Sequence, residues 1–181
     1  MDKLENIFKL YRDFGKYDYI GEKISQVEHM IQAAMLAEKD NQTNDIILAC
    51  FLHDIGHLIG LENKLESDNF GVIDHEYVGA EYLKEIGFKY PIPDLIINHV
   101  KAKKYLTSKY PEYYEKLSEA SKNTLIKQGG PMNIEESITF ENDPLFEISL
   151  KMRQYDEQAK IENMKLKELE YYFDLIKNYF K

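Results

Sequence analysis

The stretch Leu52-His53-Asp54-Ile55-Gly56-His57-Leu58 decides the fold, because it places a histidine–aspartate pair at the end of an apolar helix. Neighbouring residues of a helix point about 100° apart, so His53 and Asp54 do not share one tight corner of a single ion. They suit a cluster of two ions, with the Asp54 carboxylate between the ions and the His53 imidazole on one side. A site of this kind needs further ligands from other helices.

Those further ligands are available in other predicted helices: His29, His75, His99 and Asp156. His53 follows His29 by 24 residues, and the same interval separates the next two histidines, which suits ligands that meet across helix–loop–helix pairs. A single histidine on an amphipathic helix is more often a packed side chain than a ligand. His53 and His57 also lack the glutamate of a zinc-protease motif. The metal-site prediction therefore rests on the joint pattern.

Helical periodicity runs through most of the chain and predicts an all-α single domain of about eight helices over residues 1–181. Apolar residues recur every three to four positions, and Ser25 with Glu28 forms a capping-box pattern at the start of one helix. The segment at about 133–143 reads as a polar connection between helices.

The ligands span a predicted metal-binding core of about residues 25–160. Leu169, Phe173 and Ile176 recur at helical spacing in the last segment. This pattern predicts an amphipathic C-terminal helix at about residues 160–180 that closes the core or forms an oligomer contact.

The composition excludes several classes of partner. Thirty-two acidic residues against 23 basic ones give a formal net charge of −9, which repels nucleic-acid backbones and anionic membranes. The single cysteine, Cys50, excludes an internal disulfide and suits a reducing cytoplasm. The longest apolar run, Ile46–Leu52, is far shorter than the roughly 20 residues of a membrane helix. We therefore expect a cytoplasmic protein with neither a nucleic-acid nor a membrane partner.

The ordered ligand set resembles that of the HD-domain superfamily of helical metalloproteins. The resemblance implies that one metal is held by His29, His53, Asp54 and Asp156. It also implies that Asp54 bridges to a second metal held by His75 and His99. Four imidazoles and two carboxylates are of intermediate hardness and admit Fe, Mn, Co or Zn. Two such ions keep open positions, which are typical of catalysis rather than of a closed structural site.

Motifs outside the ligand set are similar to those of the phosphonate-cleaving oxygenases within this superfamily. The matching stretches are Tyr19-Ile20-Gly21-Glu22, Ser25-Gln26-Val27-Glu28-His29, Leu52 to Leu58, Asp74-His75-Glu76, His99-Val100-Lys101-Ala102-Lys103, Leu117-Ser118-Glu119-Ala120-Ser121, Gln128-Gly129-Gly130-Pro131-Met132 and Arg153 to Asp156. The similarity to the glycine-forming members implies that O2 is used to cleave the carbon–phosphorus bond of (R)-2-amino-1-hydroxyethylphosphonate, giving glycine and inorganic phosphate. It implies two iron ions as a mixed-valent Fe(II)/Fe(III) pair, O2 as co-substrate, and a preceding 2-aminoethylphosphonate hydroxylase.

Several polar side chains are spaced to reach the same site. Lys103 follows His99 by one helical turn, and Arg153 precedes Asp156 by about one turn. His57 lies close enough to the His-Asp pair to enter the same pocket. Three potential cations at an open metal site are typical of a phosphonate or phosphate pocket. The resemblance implies that the phosphonate oxygens are held by this group together with Ser121, Thr124 and Gln128.

Tyr19 and Glu22 lie in a predicted loop between Gly15 and Ser25. The resemblance implies that the Glu22 carboxylate recognises the substrate ammonium group, and that Tyr19 occupies a metal position until substrate displaces it. A mobile loop suits a gate that closes on substrate. A quaternary ammonium fits less well beside a carboxylate, so Glu22 favours a primary amine. The expected catalytic residues are Tyr19, Glu22, His57 and Lys103.

Three other functions stay open at this point. A metal-dependent phosphohydrolase of a nucleotide or small phosphate ester would keep the metal ligands, Lys103 and Arg153, but needs neither Tyr19 nor Glu22. An inositol-cleaving di-iron oxygenase has no use for an anion-binding group, and this chain is short for one. A non-catalytic sensing or scaffolding module does not need an intact ligand set.

Overall fold

The computed structural model describes residues 3–19, 21–64, 67–68, 71–72 and 74–181, so Ile20 of the first matching stretch lies outside the described residues. Within these ranges the elements are α1 (Lys3–Phe14), α2 (Gln26–Lys39), α3 (Asn44–Leu52), α4 (Ile55–Asn63), β1 (Ser67–Asp68), β2 (Gly71–Val72), α5 (His75–Ile86), α6 (Ile92–Lys109), α7 (Pro111–Lys116), α8 (Glu119–Lys127), α9 (Ile134–Glu141), α10 (Phe146–Gln158) and α11 (Leu169–Tyr179). The two short strands pair antiparallel. The all-α prediction is confirmed, with eleven helices among the described residues rather than about eight.

Two of these helices, α4 and α9, are not predicted by the sequence pattern. The helix α4 begins after a two-residue break from α3, where the apolar run had suggested one helix with an end or a bend. The helix α9 occupies most of 133–143, so the expectation of a polar connection there is wrong. Asn133 caps α9 by accepting a hydrogen bond from the Glu136 N–H at 2.9 Å, and the Glu136 carboxylate accepts from the Asn133 N–H in return. The polar residues are therefore the exposed face and the cap of a short helix.

The C-terminal helix is shorter than the predicted 160–180. It begins at Leu169, and the preceding residues run against α2 without helical structure. The Gln32 side chain explains this difference, because it donates to the Ile161 carbonyl and accepts from the Ile161 N–H, both at 2.9 Å. These bonds occupy backbone groups that a helix would use.

A stack of aromatic rings holds α1, α3 and α11 together. The Phe51 ring lies 4.6 Å from that of Tyr11 and 4.7 Å from that of Tyr172, measured between centroids. The Tyr11 hydroxyl donates to the Phe51 carbonyl at 2.5 Å, which satisfies a polar group inside the core. Both rings that flank Phe51 are fully buried. This packing fixes the C-terminal end of α3, where His53 and Asp54 follow.

The segment Asn44–Asn63, which combines α3 and α4, is apolar and long enough to cross a membrane by length and composition. However, 78% of its most apolar window is buried among the other helices. Every residue of α3 from Ile46 to Leu52 is buried. The segment therefore has the placement of the central helices of a helical core.

Glycines allow α4 and α5 to pack backbone against backbone. A Cβ atom on Gly56 would lie 1.9 Å from the His75 carbonyl oxygen, and one on Gly79 would lie 3.2 Å from the Gly56 nitrogen. A larger residue at Gly56 would push the two helices apart. This contact brings the first residue of α5, His75, next to the break between α3 and α4.

We predict that Gly56→Ala destabilises the protein by about 3 kcal/mol or more, because its Cβ meets backbone that cannot rotate away. Gly79→Ala is the comparison, since the atom nearest its Cβ belongs to the Ile55 side chain at 3.1 Å, and we expect a loss below about 1 kcal/mol. The free energy of unfolding in urea measures both. Equal stability of Gly56→Ala and the wild type would contradict the helix contact.

Candidate active site

Six buried side chains with metal-binding chemistry come together from five parts of the fold. They are His29 on α2, His53 and Asp54 between α3 and α4, His75 at the start of α5, His99 on α6 and Asp156 on α10. None is more than 7% exposed. The structure thus places every residue of the predicted ligand set in one cluster.

The break between α3 and α4 aims His53 and Asp54 at the same point. His53 keeps helical backbone angles, whereas Asp54 leaves them at φ −104° and ψ 13°. As a result, Asp54 Oδ2 lies 3.4 Å from His53 Nε2. The expectation that these neighbours cannot share a corner is wrong, because it assumed the fixed rotation of an unbroken helix.

A first group of donor atoms forms around His29 and His53, whose Nε2 atoms are 3.1 Å apart. Asp54 Oδ2 lies 3.7 Å from His29 Nε2. Asp156 Oδ1 lies 3.3 Å from the same nitrogen and 4.0 Å from His53 Nε2. This group contains two nitrogens and two carboxylate oxygens.

A second group forms around His75 and His99, whose Nε2 atoms are 3.2 Å apart. The other oxygen of Asp54, Oδ1, lies 3.3 Å from His75 Nε2 and 3.6 Å from His99 Nε2. One carboxylate therefore faces a different imidazole pair with each of its oxygens. This is the arrangement expected of a ligand that bridges two metal ions.

Backbone hydrogen bonds fix the orientation of three of the four imidazoles. The Nδ1 atoms donate to carbonyls as follows: His29 to Ala159 at 2.9 Å, His53 to Cys50 at 2.8 Å and His99 to Ile96 at 2.5 Å. A carbonyl only accepts, so each Nδ1 carries a hydrogen and each neutral ring has a lone pair on Nε2. In the first group, the Nε2 atoms of His29 and His53 face each other across 3.1 Å, so a proton or a metal ion between them is favoured.

The electrostatics of the cluster also favour cations. Burial alone would lower the pKa of His53, but the Asp54 carboxylate raises it to about 9. Burial opposes ionisation of the two aspartates as well, yet His53 holds the pKa of Asp54, and Arg153 that of Asp156, well below the usual range. Two ligands at adjacent positions about 2.1 Å from one octahedral ion lie about 3 Å apart. The donor set and its spacing therefore fit two metal ions.

His57 is a neutral neighbour of this cluster rather than the predicted cation. Its ring stacks on that of His75 with centroids 4.0 Å apart, and its Nδ1 accepts a hydrogen bond from the Val72 N–H at 3.2 Å. Burial, with a smaller contribution from His75, lowers the pKa of His57 to about 3. The expected positive charge is therefore wrong, although His57 does line the predicted pocket.

The metal-type cluster opens into a narrow cavity of about 50 Å³. Its lining includes Asp54, His75, His99 and Asp156. Seven other residues predicted for catalysis or substrate binding also line it: Tyr19, Glu22, His57, Lys103, Ser121, Thr124 and Arg153. The structure therefore gathers nearly the whole predicted site around one small space.

Lys103 is a buried amine on this cavity, only 4% exposed. It donates to the Thr124 hydroxyl at 3.0 Å, and that hydroxyl donates to the Ser121 carbonyl at 3.1 Å. Burial first, and then the charge of Arg153, lower the pKa of Lys103 to about 7. An anion in the cavity would stabilise its protonated form.

Arg153 reaches the cavity while bonded to acidic neighbours. Its Nη1 donates to Asp156 Oδ2 at 2.5 Å, and its Nε donates to Glu157 Oε1 at 2.8 Å. Although burial alone would lower it, Asp156 and other neighbours raise the pKa of Arg153 well above its usual value. Arg153 therefore stays charged and also orients the Asp156 carboxylate toward His29.

Tyr19 and Glu22 occupy the segment that precedes α2. The Tyr19 ring stacks on that of His29 at 3.9 Å between centroids, with an interplanar angle of 15°. Burial, followed by Asp156 and Asp54, raises the pKa of Tyr19 well above its usual value, so its hydroxyl is protonated. The Glu22 carboxylate accepts a hydrogen bond from Lys160 at 2.7 Å. The displaceable role of Tyr19 and the amine recognition by Glu22 stay predictions.

The predicted substrate residue Gln128 does not line the cavity. It is the C-cap residue of α8 and lines a neighbouring groove with Glu76 and Lys104. Conversely, sequence reasoning missed Gln26 and Lys160, which both line the cavity. Lys160 follows Asp156 by four residues but lies beyond the end of α10 at Gln158, so helical spacing did not report it.

The HD domain family matches residues 27–145 of the chain. The chain belongs to the HD-domain family. The matched region includes five of the six clustered ligands, and leaves out Tyr19, Glu22 and Asp156.

Three relatives of this HD-domain protein extend the similarity to nearly its full length. An uncharacterised protein of Acanthamoeba polyphaga mimivirus is 50% identical over 180 residues, covering 99% of this chain and 82% of the relative. A 1-hydroxy-2-(trimethylamino)ethylphosphonate dioxygenase (glycine-betaine-forming) of Leisingera caerulea is 40% identical over 150 residues, covering 83% and 76%. A hydroxymethylphosphonate dioxygenase of Gimesia maris is 35% identical over 173 residues, covering 94% and 85%. This HD-domain chain therefore belongs with the phosphonate dioxygenases and is an oxidoreductase.

We predict that Asp54→Ala removes most of the bound metal, because Asp54 faces both imidazole pairs. His99→Ala should remove only one of two ions, since it disturbs one pair. The exposed Asp13→Ala is the control and should bind metal like the wild type. Metal analysis after anaerobic ferrous loading and desalting measures the stoichiometry. Equal metal content in Asp54→Ala and His99→Ala would contradict a bridging role.

Proposed function

We propose that this protein uses O2 to cleave the carbon–phosphorus bond of (R)-2-amino-1-hydroxyethylphosphonate, giving glycine and inorganic phosphate. The observation that carries the proposal is one small cavity that joins a two-centre ligand cluster to two buried cationic side chains and a carboxylate. The two dioxygenase relatives act, by their names, on small phosphonates, which supports the reaction class. The reaction balances, because both atoms of O2 enter the products.

Two iron ions are the proposed cofactor, as a mixed-valent Fe(II)/Fe(III) pair. One would be held by His29, His53, Asp54 and Asp156, and the other by Asp54, His75 and His99. When bound, such a pair would supply the redox chemistry with O2, which no amino-acid side chain of the cavity provides. Nitrogen and oxygen ligands in this ratio suit iron.

The cationic wall of the cavity is proposed to bind the phosphonate oxygens. Lys103 and Arg153 are both about 4% exposed, so their charges act where water screens them little. Thr124, which already bonds Lys103, and Ser121 add hydroxyl groups to the same lining. These side chains would orient the phosphonate and neutralise the charge that builds up as phosphate leaves.

Glu22 is proposed to select the group attached to the hydroxylated carbon. The named relatives act on phosphonates that differ in this group, a trimethylammonium in one case and no amine in the other. A primary ammonium donates hydrogen bonds to a carboxylate, whereas a trimethylammonium has no N–H to donate. The Glu22 carboxylate in the cavity lining therefore supports a primary amine.

Two cavity residues distinguish the proposal from a metal-dependent phosphohydrolase. Tyr19 and Glu22 line the cavity beside the metal-type cluster, and hydrolysis of a phosphate ester needs neither of them. We further propose that a hydroxylase acting on 2-aminoethylphosphonate supplies the substrate, and that the protein acts in the cytoplasm, where its buried free Cys50 stays reduced.

The direct test supplies iron-loaded protein with (R)-2-amino-1-hydroxyethylphosphonate and measures glycine, phosphate and O2 consumption together. We expect one glycine and one phosphate for each O2 consumed. Phosphate release without O2 consumption would contradict the proposal and favour the phosphohydrolase.

Glu22→Ala should lose affinity for the amine substrate by about tenfold or more, and much less for hydroxymethylphosphonate.

We predict that Lys103→Met weakens phosphonate binding by about tenfold or more at pH 6.5, where Lys103 is largely protonated. Burial places the pKa of Lys103 at about 7, so the wild type should lose affinity as the pH rises above 7 and the positive charge is lost. Lys103→Met should lack this component of the pH dependence. Lys104→Met, on the same helix but lining the neighbouring groove, is the control. Anaerobic calorimetry measures the dissociation constants, and identical pH profiles for wild type and Lys103→Met would contradict the role.

A further inference from the structure

A second lysine, Lys160, forms an ion pair with Glu22, the carboxylate that is proposed to bind the substrate amine. Its Nζ lies 2.7 Å from Glu22 Oε1, with 18% of the Lys160 side chain and 17% of the Glu22 side chain exposed. The same ammonium lies 5.7 Å from the centre of the Tyr19 ring. The most substrate-selective residue of the proposed site thus has an internal cationic partner.

The Glu22–Lys160 ion pair lies between two cavities. Both residues, together with Ser121, line the cavity of the metal-type cluster and also an adjacent one of about 200 Å³. The adjacent cavity is further lined by Tyr113 and Lys116. The ion pair therefore belongs to the walls of both cavities.

The backbone around Lys160 is fixed, so its side chain is the part that can move. The Ala159 carbonyl accepts from His29 Nδ1 at 2.9 Å, and Ile161 makes two backbone hydrogen bonds with the Gln32 side chain. These bonds anchor the residues on both sides of Lys160 to α2. The lysine side chain has four rotatable bonds and can swing toward solvent without any change in the backbone.

The cavity has an additional acceptor for an incoming amine. Gln26 is 3% exposed, lines the cavity, and has no hydrogen-bond partner for its Oε1 among the described residues. An ammonium group carries three donors, of which Lys160 uses one on Glu22 and a second, at 3.4 Å, on the Ser118 hydroxyl. A small substrate ammonium therefore finds both a charged and a neutral acceptor in this space.

We propose that Lys160 is an internal competitor that holds Glu22 until a substrate ammonium replaces it, and that this competition limits the preference for amine-bearing phosphonates. The inference rests on the proposed function. An ammonium substrate exchanges one cation for another at Glu22, so the carboxylate is never left without a counter-charge. A phosphonate without an amine leaves the ion pair closed.

The test compares two probes, (R)-2-amino-1-hydroxyethylphosphonate and hydroxymethylphosphonate, by calorimetry on iron-loaded protein without O2. Lys160→Met should bind the amine probe about fivefold to tenfold more tightly than the wild type does, and should change the affinity for the other probe less than about twofold. Lys160→Gln, which keeps most of the length, should shift the ratio of the two affinities in the same direction. Lys23→Met is the control, since it breaks a nearby but exposed ion pair with Glu162.

A double variant shows whether Lys160 acts through Glu22. In Glu22→Gln/Lys160→Met, the gain in amine affinity should disappear. An equal loss of affinity for both probes in Lys160→Met would overturn the inference and make Lys160 a phosphonate contact, and an unchanged affinity ratio would also overturn it. If the wild type binds neither probe and consumes no O2 with either, the proposed function itself fails, which is a distinct result.

Discussion

The structure depends on the Asp54 carboxylate, which presents one oxygen to each of two imidazole pairs. Its Oδ2 lies 3.4 Å from His53 and its Oδ1 lies 3.3 Å from His75. Asp54 is the carboxylate that both pairs share, so it links the two groups into one cluster. Imidazole nitrogens and carboxylates that are buried this close together need neighbouring cations to be stable. The other helices are placed so as to maintain this constraint.

Backbone contacts position much of the cluster. Gly56 allows the start of α5 to touch α4, which positions His75. The Ala159 carbonyl, just beyond the end of α10, orients His29. The same turn carries Lys160 to Glu22, so ligand orientation and the proposed substrate selectivity share one piece of backbone. A change in that turn would therefore affect both the metal-type cluster and the cavity.

The metal-type residues were predictable from the sequence, because the order of a histidine, a histidine–aspartate pair, two more histidines and a late aspartate resembles that of the HD-domain superfamily. Breaks and caps were less predictable: the two-residue interruption after Leu52 depends on tertiary packing of α4 against α5, which periodicity does not report. The state of His57 depends on burial and on a hydrogen bond from Val72, so its charge was assigned wrongly. Gln128 was wrongly predicted to line the cavity, and Lys160, which does line it, was missed. Both residues lie at or just beyond a helix end, where helical spacing does not report which side chain faces the cavity.

Anomalous diffraction from crystals of the iron-loaded protein tests the central claim most directly, because it locates iron without assuming any ligand. The account predicts two iron peaks, one bound by His29 and His53 and the other by His75 and His99, each bonded to a different oxygen of Asp54. A single peak, or two peaks that do not share Asp54, would contradict it.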